Sequence, residues 1–168
     1  MKDLLKRSSK AALAVCLAVL GTAIQARADC QHVRGSDVET IIPSPNDPFG
    51  RALGIVNGVL NGASTAVVTS SSPDGLHATS FDVFVTNRGD ILTATGVVTF
   101  TPAPGSSSEF TENATLTITG GSGEYKGASG TITLEGKAVF DSTGGGTFYV
   151  IYKGSVCGPN VKGGDDRN

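Results

Sequence analysis

Tryptophan is absent from this 168-residue chain, aromatic residues make up only 6% of it, and its two histidines and three cysteines are scattered. His32 and His77 have no His or Cys partner at ligand spacing, so no zinc site is expected. Asp165-Asp166 alone cannot supply the roughly six to eight oxygens that calcium takes, and no metal is expected there either. Positive charge is also scarce. From residue 29 onward 8 Lys and Arg stand against 14 Asp and Glu, a net charge of −6. Nucleic acid or an anionic membrane surface would require a basic patch, and neither is an expected partner. Long apolar runs are missing too: residues 11–24 form the longest, shorter than the ~20 residues that cross a bilayer as a helix.

That run has a different reading. Lys2, Lys6, Arg7 and Lys10 precede it and Ala26-Arg27-Ala28 follows it, the basic, apolar and small-residue order of an export signal. Cys16 sits within the run after Val15, which does not suit a lipoprotein signal. The chain divides accordingly into a signal peptide (1–28), one domain (29–157) and a polar, flexible tail (158–168), and the expected location is secreted or periplasmic. Removal of the signal leaves Cys30 and Cys157. In an oxidising compartment these are expected to pair, and closing so long a loop is worth roughly 5 kcal/mol on the chain-entropy model. A reactive thiol would need basic neighbours that neither cysteine has.

No stretch after the signal keeps a helical apolar period, whereas two-residue alternation recurs, most cleanly in Thr115-Leu116-Thr117-Ile118-Thr119 and Thr131-Ile132-Thr133-Leu134-Glu135. The pattern predicts eight strands, at 38–42, 53–60, 65–71, 77–86, 91–100, 112–119, 130–140 and 147–156. Asn61-Gly62, Asp74-Gly75, Asn87-Arg88-Gly89 and Gly144-Gly145-Gly146 separate them, and Asn-Gly is the signature of a type I′ hairpin. Consecutive hairpins make an antiparallel meander, for which a sandwich and a closed barrel are the economical solutions, and only the barrel abolishes its edges. The fold class expected is all-β, an eight-stranded antiparallel barrel. Its interior is either filled by side chains or just wide enough for one small ligand.

Between two of the strands lies Thr119-Gly120-Gly121-Ser122-Gly123-Glu124-Tyr125-Lys126-Gly127-Ala128-Ser129-Gly130. Its glycine spacing and flanking strands do not suit a dinucleotide-binding loop. Tyr125 is placed to cap one end of a barrel. The segment resembles the glycine-rich signature of the allene oxide cyclase barrel superfamily, which also holds the dirigent proteins, and Gly120, Gly121, Gly123, Tyr125, Gly127 and Gly130 carry the match. Arg51-Ala52-Leu53-Gly54-Ile55-Val56-Asn57-Gly58 and the final Phe148-Tyr149-Val150-Ile151-Tyr152-Lys153-Gly154 strand are similar as well. The resemblance implies a calycin-like barrel, often a homotrimer, that holds a small apolar molecule. It further implies cofactor-independent isomerase or cyclase chemistry, in which the pocket guides cyclisation or coupling. The cysteine found in the cyclases' cavity has no counterpart in the strand at 53–60, and the dirigent aspartates and arginine find no matching positions.

Candidate ligand-binding residues are Glu39, Asn57, Asp82, Tyr149 and Tyr152, polar or amphipathic groups on predicted strands. Asp82 is singled out because it alternates with Phe81 and Val83 in an apolar strand. Strand parity puts Tyr149 and Tyr152 on opposite faces. Glu39, Asp82, Glu112 and Glu135 are the carboxylates that could converge for acid–base work, and His77 is a candidate base. Gly62-Ala63-Ser64-Thr65-Ala66 misses the serine-hydrolase elbow, which also requires a strand-to-helix turn. The opposing functional reading is a non-enzymatic extracellular structural or interaction module whose barrel is full. An open cavity of about 300 Å³ or more favours ligand binding, and a filled core favours the module.

Overall fold

A strand with one apolar face must bury that face, and eight such strands in sequence can do so by curling until the last meets the first. The computed structural model describes residues 29–44 and 47–162, so the proposed signal peptide and the end of the tail (163–168) lie outside the described residues. The strands are β1 (Asp29–Ser44), β2 (Asp47–Gly58), β3 (Gly62–Ser71), β4 (His77–Thr86), β5 (Ile91–Pro102), β6 (Glu109–Gly121), β7 (Ser129–Phe140) and β8 (Gly146–Gly158). Each pairs antiparallel with the next, and β8 pairs antiparallel with β1, giving a closed, calycin-like barrel. No helix among the described residues is long and apolar enough to cross a membrane.

The closing seam is longer than the sequence pattern suggests. Alternation begins only near Val38, yet β1 starts at Asp29 and pairs with β8 from Asp29 opposite Gly158 to Ile41 opposite Gly146. Residues 29–37 carry one inward apolar side chain, Val33, so their strand character comes from the β8 ladder and not from local hydrophobicity. Cys30 and Cys157 oppose each other directly in this seam, and their sulfurs are bonded at 2.07 Å. The packed chain also outlasts the expected domain end, since Gly158 belongs to β8 and Val161 is buried in the core.

Asn61-Gly62 does not form the expected type I′ turn. No residue other than glycine has positive φ among the described residues. The turn instead spans Gly58 to Asn61, closed by the Asn61 N–H donating to the Gly58 carbonyl at 3.2 Å, with Gly58 at φ +100°. This shift frees Leu60 to point into the barrel, where it is fully buried.

Inward residues fill the two ends differently. At the end holding the β2–β3, β4–β5 and β6–β7 connections, Val33, Val56, Leu60, Leu92, Ile118, Tyr125, Ile132, Val156 and Val161 make a solid plug. At the opposite end Phe100, Phe110, Phe140 and Phe148 pack mostly edge to face, with centroids 5.5–6.4 Å apart, and Phe100 lies stacked on Phe148. Replacing both seam cysteines by alanine is expected to lower stability by roughly 2–5 kcal/mol, measured by urea unfolding. An unchanged midpoint would mean that the backbone ladder alone holds the barrel shut.

Candidate functional site

Between plug and phenylalanines the lumen stays partly empty, with a cavity of about 180 Å³ that reaches the β3–β4 turn at Ser71 and Gly75. Its lining mixes apolar side chains, among them Ile41, Val68, Val98, Phe100, Phe140 and Phe148, with the carboxyl groups of Asp37, Glu39, Asp82 and Glu112; Phe148 neighbours Glu39 across β1–β8 and Phe100 neighbours Glu112 across β5–β6. Asp37 and Glu39 come from β1, Asp82 from β4 and Glu112 from β6, each at an inward position of its strand. Among the described residues no Lys, Arg or His lines the cavity.

Glycine makes the room. Gly54 opposes Glu39 across the β1–β2 ladder, and a Cβ there would meet the Ser64 hydroxyl, Glu39 Cγ at 2.5 Å and Asp37 Oδ1 at 2.7 Å. Gly96 opposes Ser80 across β4–β5, and a Cβ there would strike the Ser80 hydroxyl and come within 3.1 Å of Asp82 Oδ2. Two strand positions that would otherwise hold core side chains are thus given over to carboxyl groups.

The acids are buried with few donors. Asp37 is 1% exposed and Glu112 7%, and neither Asp37 oxygen nor Glu112 Oε2 has a hydrogen-bond partner among the described residues. Asp82, 8% exposed, accepts a 2.7 Å hydrogen bond from the Ser80 hydroxyl. Desolvation by burial is the main cause in all four cases. It pushes Asp37 and Asp82 up to about 6, Glu112 to about 7 and Glu39 to about 8. Mutual repulsion adds to the rise, most for Glu39, which feels Asp37, Asp82 and Glu112. Such a group titrates as a coupled set. Near neutrality it holds protonated and ionised carboxyls side by side, the condition for proton donor and acceptor in one site.

Of the expected site residues, Glu39 and Asp82 reach the cavity. Asn57 and Tyr149, expected there as well, do not. Asn57 follows the inward Val56, which turns it to solvent, and Tyr149 lies between inward Phe148 and Val150, leaving it 54% exposed. Tyr152 points inward, but below the cavity: its hydroxyl donates to the Asn57 carbonyl and accepts from the Leu60 N–H, both at 3.0 Å. It ties the β2–β3 turn to β8. Glu135, His77 and His32 are exposed on the outer surface. Asp37, Ser64 and Ser80 were missed. Asp37 lay in a stretch without alternation, while the serines are inward polar residues on strands whose parity could have flagged them.

The glycine-rich segment builds the plug instead of the cavity. Gly123–Tyr125 is a short 3₁₀ turn that drives Tyr125 into the closed end, and burial pushes its phenol up to about 12. Gly123, at φ +59°, is pressed against Asp90, whose Oδ1 accepts from the Glu124 N–H at 3.1 Å, while Arg88 bridges Asp90 and Glu124. Gly120, Gly121, Gly127 and Gly130 also have positive φ, and all lie outside the cavity lining.

Two predictions follow from this geometry. A carboxyl whose folded pKa is raised binds more protons folded than unfolded, so its contribution is greatest below the unfolded value and is lost as pH climbs through the folded one. The contribution of these four groups should therefore be full below about pH 4 and stability should decline by a few kcal/mol from there toward about pH 9, through a window set by folded values of about 6 to 8. Thermal unfolding across that range measures it, and Glu112→Gln should flatten the decline. Tyr152→Phe should cost ~1–3 kcal/mol at every pH by orphaning the buried Leu60 N–H, a loss visible in chemical denaturation. Comparison with protein-family models, curated proteins and solved structures finds no match to this chain.

Proposed function

We propose that this is an exported protein, secreted or periplasmic, whose barrel takes a small, mostly apolar molecule into its lumen and guides a cofactor-independent rearrangement of it, a cyclisation or coupling. The observation that carries this reading is the pairing of a phenylalanine wall with four carboxyl groups around one partly empty cavity. Apolar walls fold a flexible guest into one conformation, and orientation alone removes much of a barrier. Glu39, with the highest value of the set, serves as proton donor. Asp82, held by Ser80, remains ionised near neutrality and accepts a proton or faces developing positive charge. The resemblance to the allene oxide cyclase superfamily supports the same chemistry and adds a homotrimer to the proposal.

A non-enzymatic interaction module is the second reading, favoured by one observation. The cavity of about 180 Å³ lies below the ~300 Å³ at which ordinary small-molecule sites begin, so any guest is smaller than a drug-sized ligand. Thermal shift with benzyl alcohol, cyclohexene oxide and a methylphenol separates the two. The enzyme reading expects at least one to raise the melting temperature, and Ala66→Leu, which fills the lumen beside Asp82, to abolish that shift. No shift with any of them would favour the module. With a substrate in hand, Glu39→Gln should lower kcat by roughly 10²–10⁴-fold and leave binding within a few-fold, measured by steady-state kinetics.

A further inference from the structure

We propose that the guest of the lumen is a small organic cation, a protonated amine on an apolar body, with its ammonium among the carboxyl groups and its body against the phenylalanines. This rests on the reading of the lumen as a ligand site and names the class of ligand.

The first argument is the missing counter-charge. Asp37 and Glu39 from β1, Asp82 from β4 and Glu112 from β6 face one space. Among the residues whose side chains are described, the inward ones of β2, β3, β5 and β7 are apolar, glycine or serine, and β8 offers only the Tyr152 hydroxyl, engaged with Asn57 and Leu60. Buried acids are ordinarily matched by a cation or by donors; among the described residues no cation lines this cavity, and the side-chain donors beside the four acids are two neutral hydroxyls, Ser80 on Asp82 and Ser64 near Asp37 and Glu39.

The second argument is the count of donors. Both oxygens of Asp37 and Oε2 of Glu112 are buried and unpartnered among the described residues, and Asp37 is 1% exposed. A neutral alcohol brings one donor, whereas an ammonium brings three together with a charge. The carboxyl groups come from three strands, and among the described residues no group of three or more is arranged to hold a metal ion. Acids spread around a wall suit a molecule whose donors diverge. The third argument is the ring surface beside the acids: Phe148 is the cross-strand neighbour of Glu39 and Phe100 that of Glu112, and both line the cavity with Phe140, offering apolar area to the body and ring faces to a cation. Gly54 and Gly96 show that side-chain volume has been withdrawn to accommodate the acids.

The test compares benzylamine with benzyl alcohol, near-isosteric probes that differ in charge, on the exported form of the chain with its disulfide intact. Calorimetric titration at about pH 8.5, where the four acids are largely ionised and the amine is still protonated, should give the amine an affinity about tenfold or more above the alcohol. At about pH 5 the acids gain protons while the amine keeps its charge, and the preference should collapse. Glu112→Gln and Asp37→Asn should each weaken the amine about fivefold or more while sparing the alcohol. Should Asp37→Asn fail to fold, Glu112→Gln carries the comparison. An alcohol bound as tightly as the amine at the higher pH would overturn the cationic guest and leave the ligand-binding lumen standing. Binding of neither probe, with no shift from the neutral panel, would remove both.

Discussion

Everything in this molecule depends on β1 and β8 finding each other. Their pairing satisfies the backbone groups of two strands that would otherwise be sheet edges, and it converts a twisted meander into a closed wall with an inside. Once closed, strand parity becomes destiny for each side chain: one residue in two is committed to the lumen, and its neighbours to solvent. The disulfide sits within this seam, between residues already opposed by the ladder, so it reinforces a geometry that the backbone specifies.

The lumen so enclosed is divided along its length. The closed end is packed by aliphatic residues and Tyr125, with Tyr152 latching the β2–β3 turn beneath. The middle carries charge and glycine, and the far end carries phenylalanine. A barrel selected for stability alone would extend the aliphatic packing to the far end, since a buried carboxyl group without a partner costs more than any apolar residue of its size. The solid plug and the ladder provide the stability against which that cost is carried. Perturbed acids concentrated in a cleft are the usual mark of a working site.

Much of the architecture could be read from the chain before any coordinates. Alternation such as Thr115 to Thr119 marks a half-wet strand whatever its neighbours do, so all eight strands, though not the first part of β1, and the all-β class follow from local pattern. Asp82 was legible for the same reason, as a charge at an apolar position of a good strand. Asp37 was not, because residues 29–37 lack alternation of their own and are made a strand by their partners, β8 along the whole stretch and β2 from Gly35 onward. Asn57 and Tyr149 lie on real strands but on the wrong face, an error of a single residue in phase that only the register resolves. The glycine-rich segment drew attention as a motif, yet its glycines relieve contacts such as that between Gly123 and Asp90 at the plug. The vacancies left by Gly54 and Gly96 are invisible in one dimension, since a glycine in a strand does not announce which side chains lean into its space.

The place where the barrel wall begins and ends has a practical corollary. Asp29 and Gly158 oppose each other across the seam, at the plugged end, and the cavity lining runs toward Ser71 and Gly75 at the other. A tether or tag attached at Asp29 or Gly158 therefore meets the barrel at its sealed base. Through either of these residues the barrel can be fixed to a bead or a scaffold with the Ser71 and Gly75 side of the cavity turned away from the support.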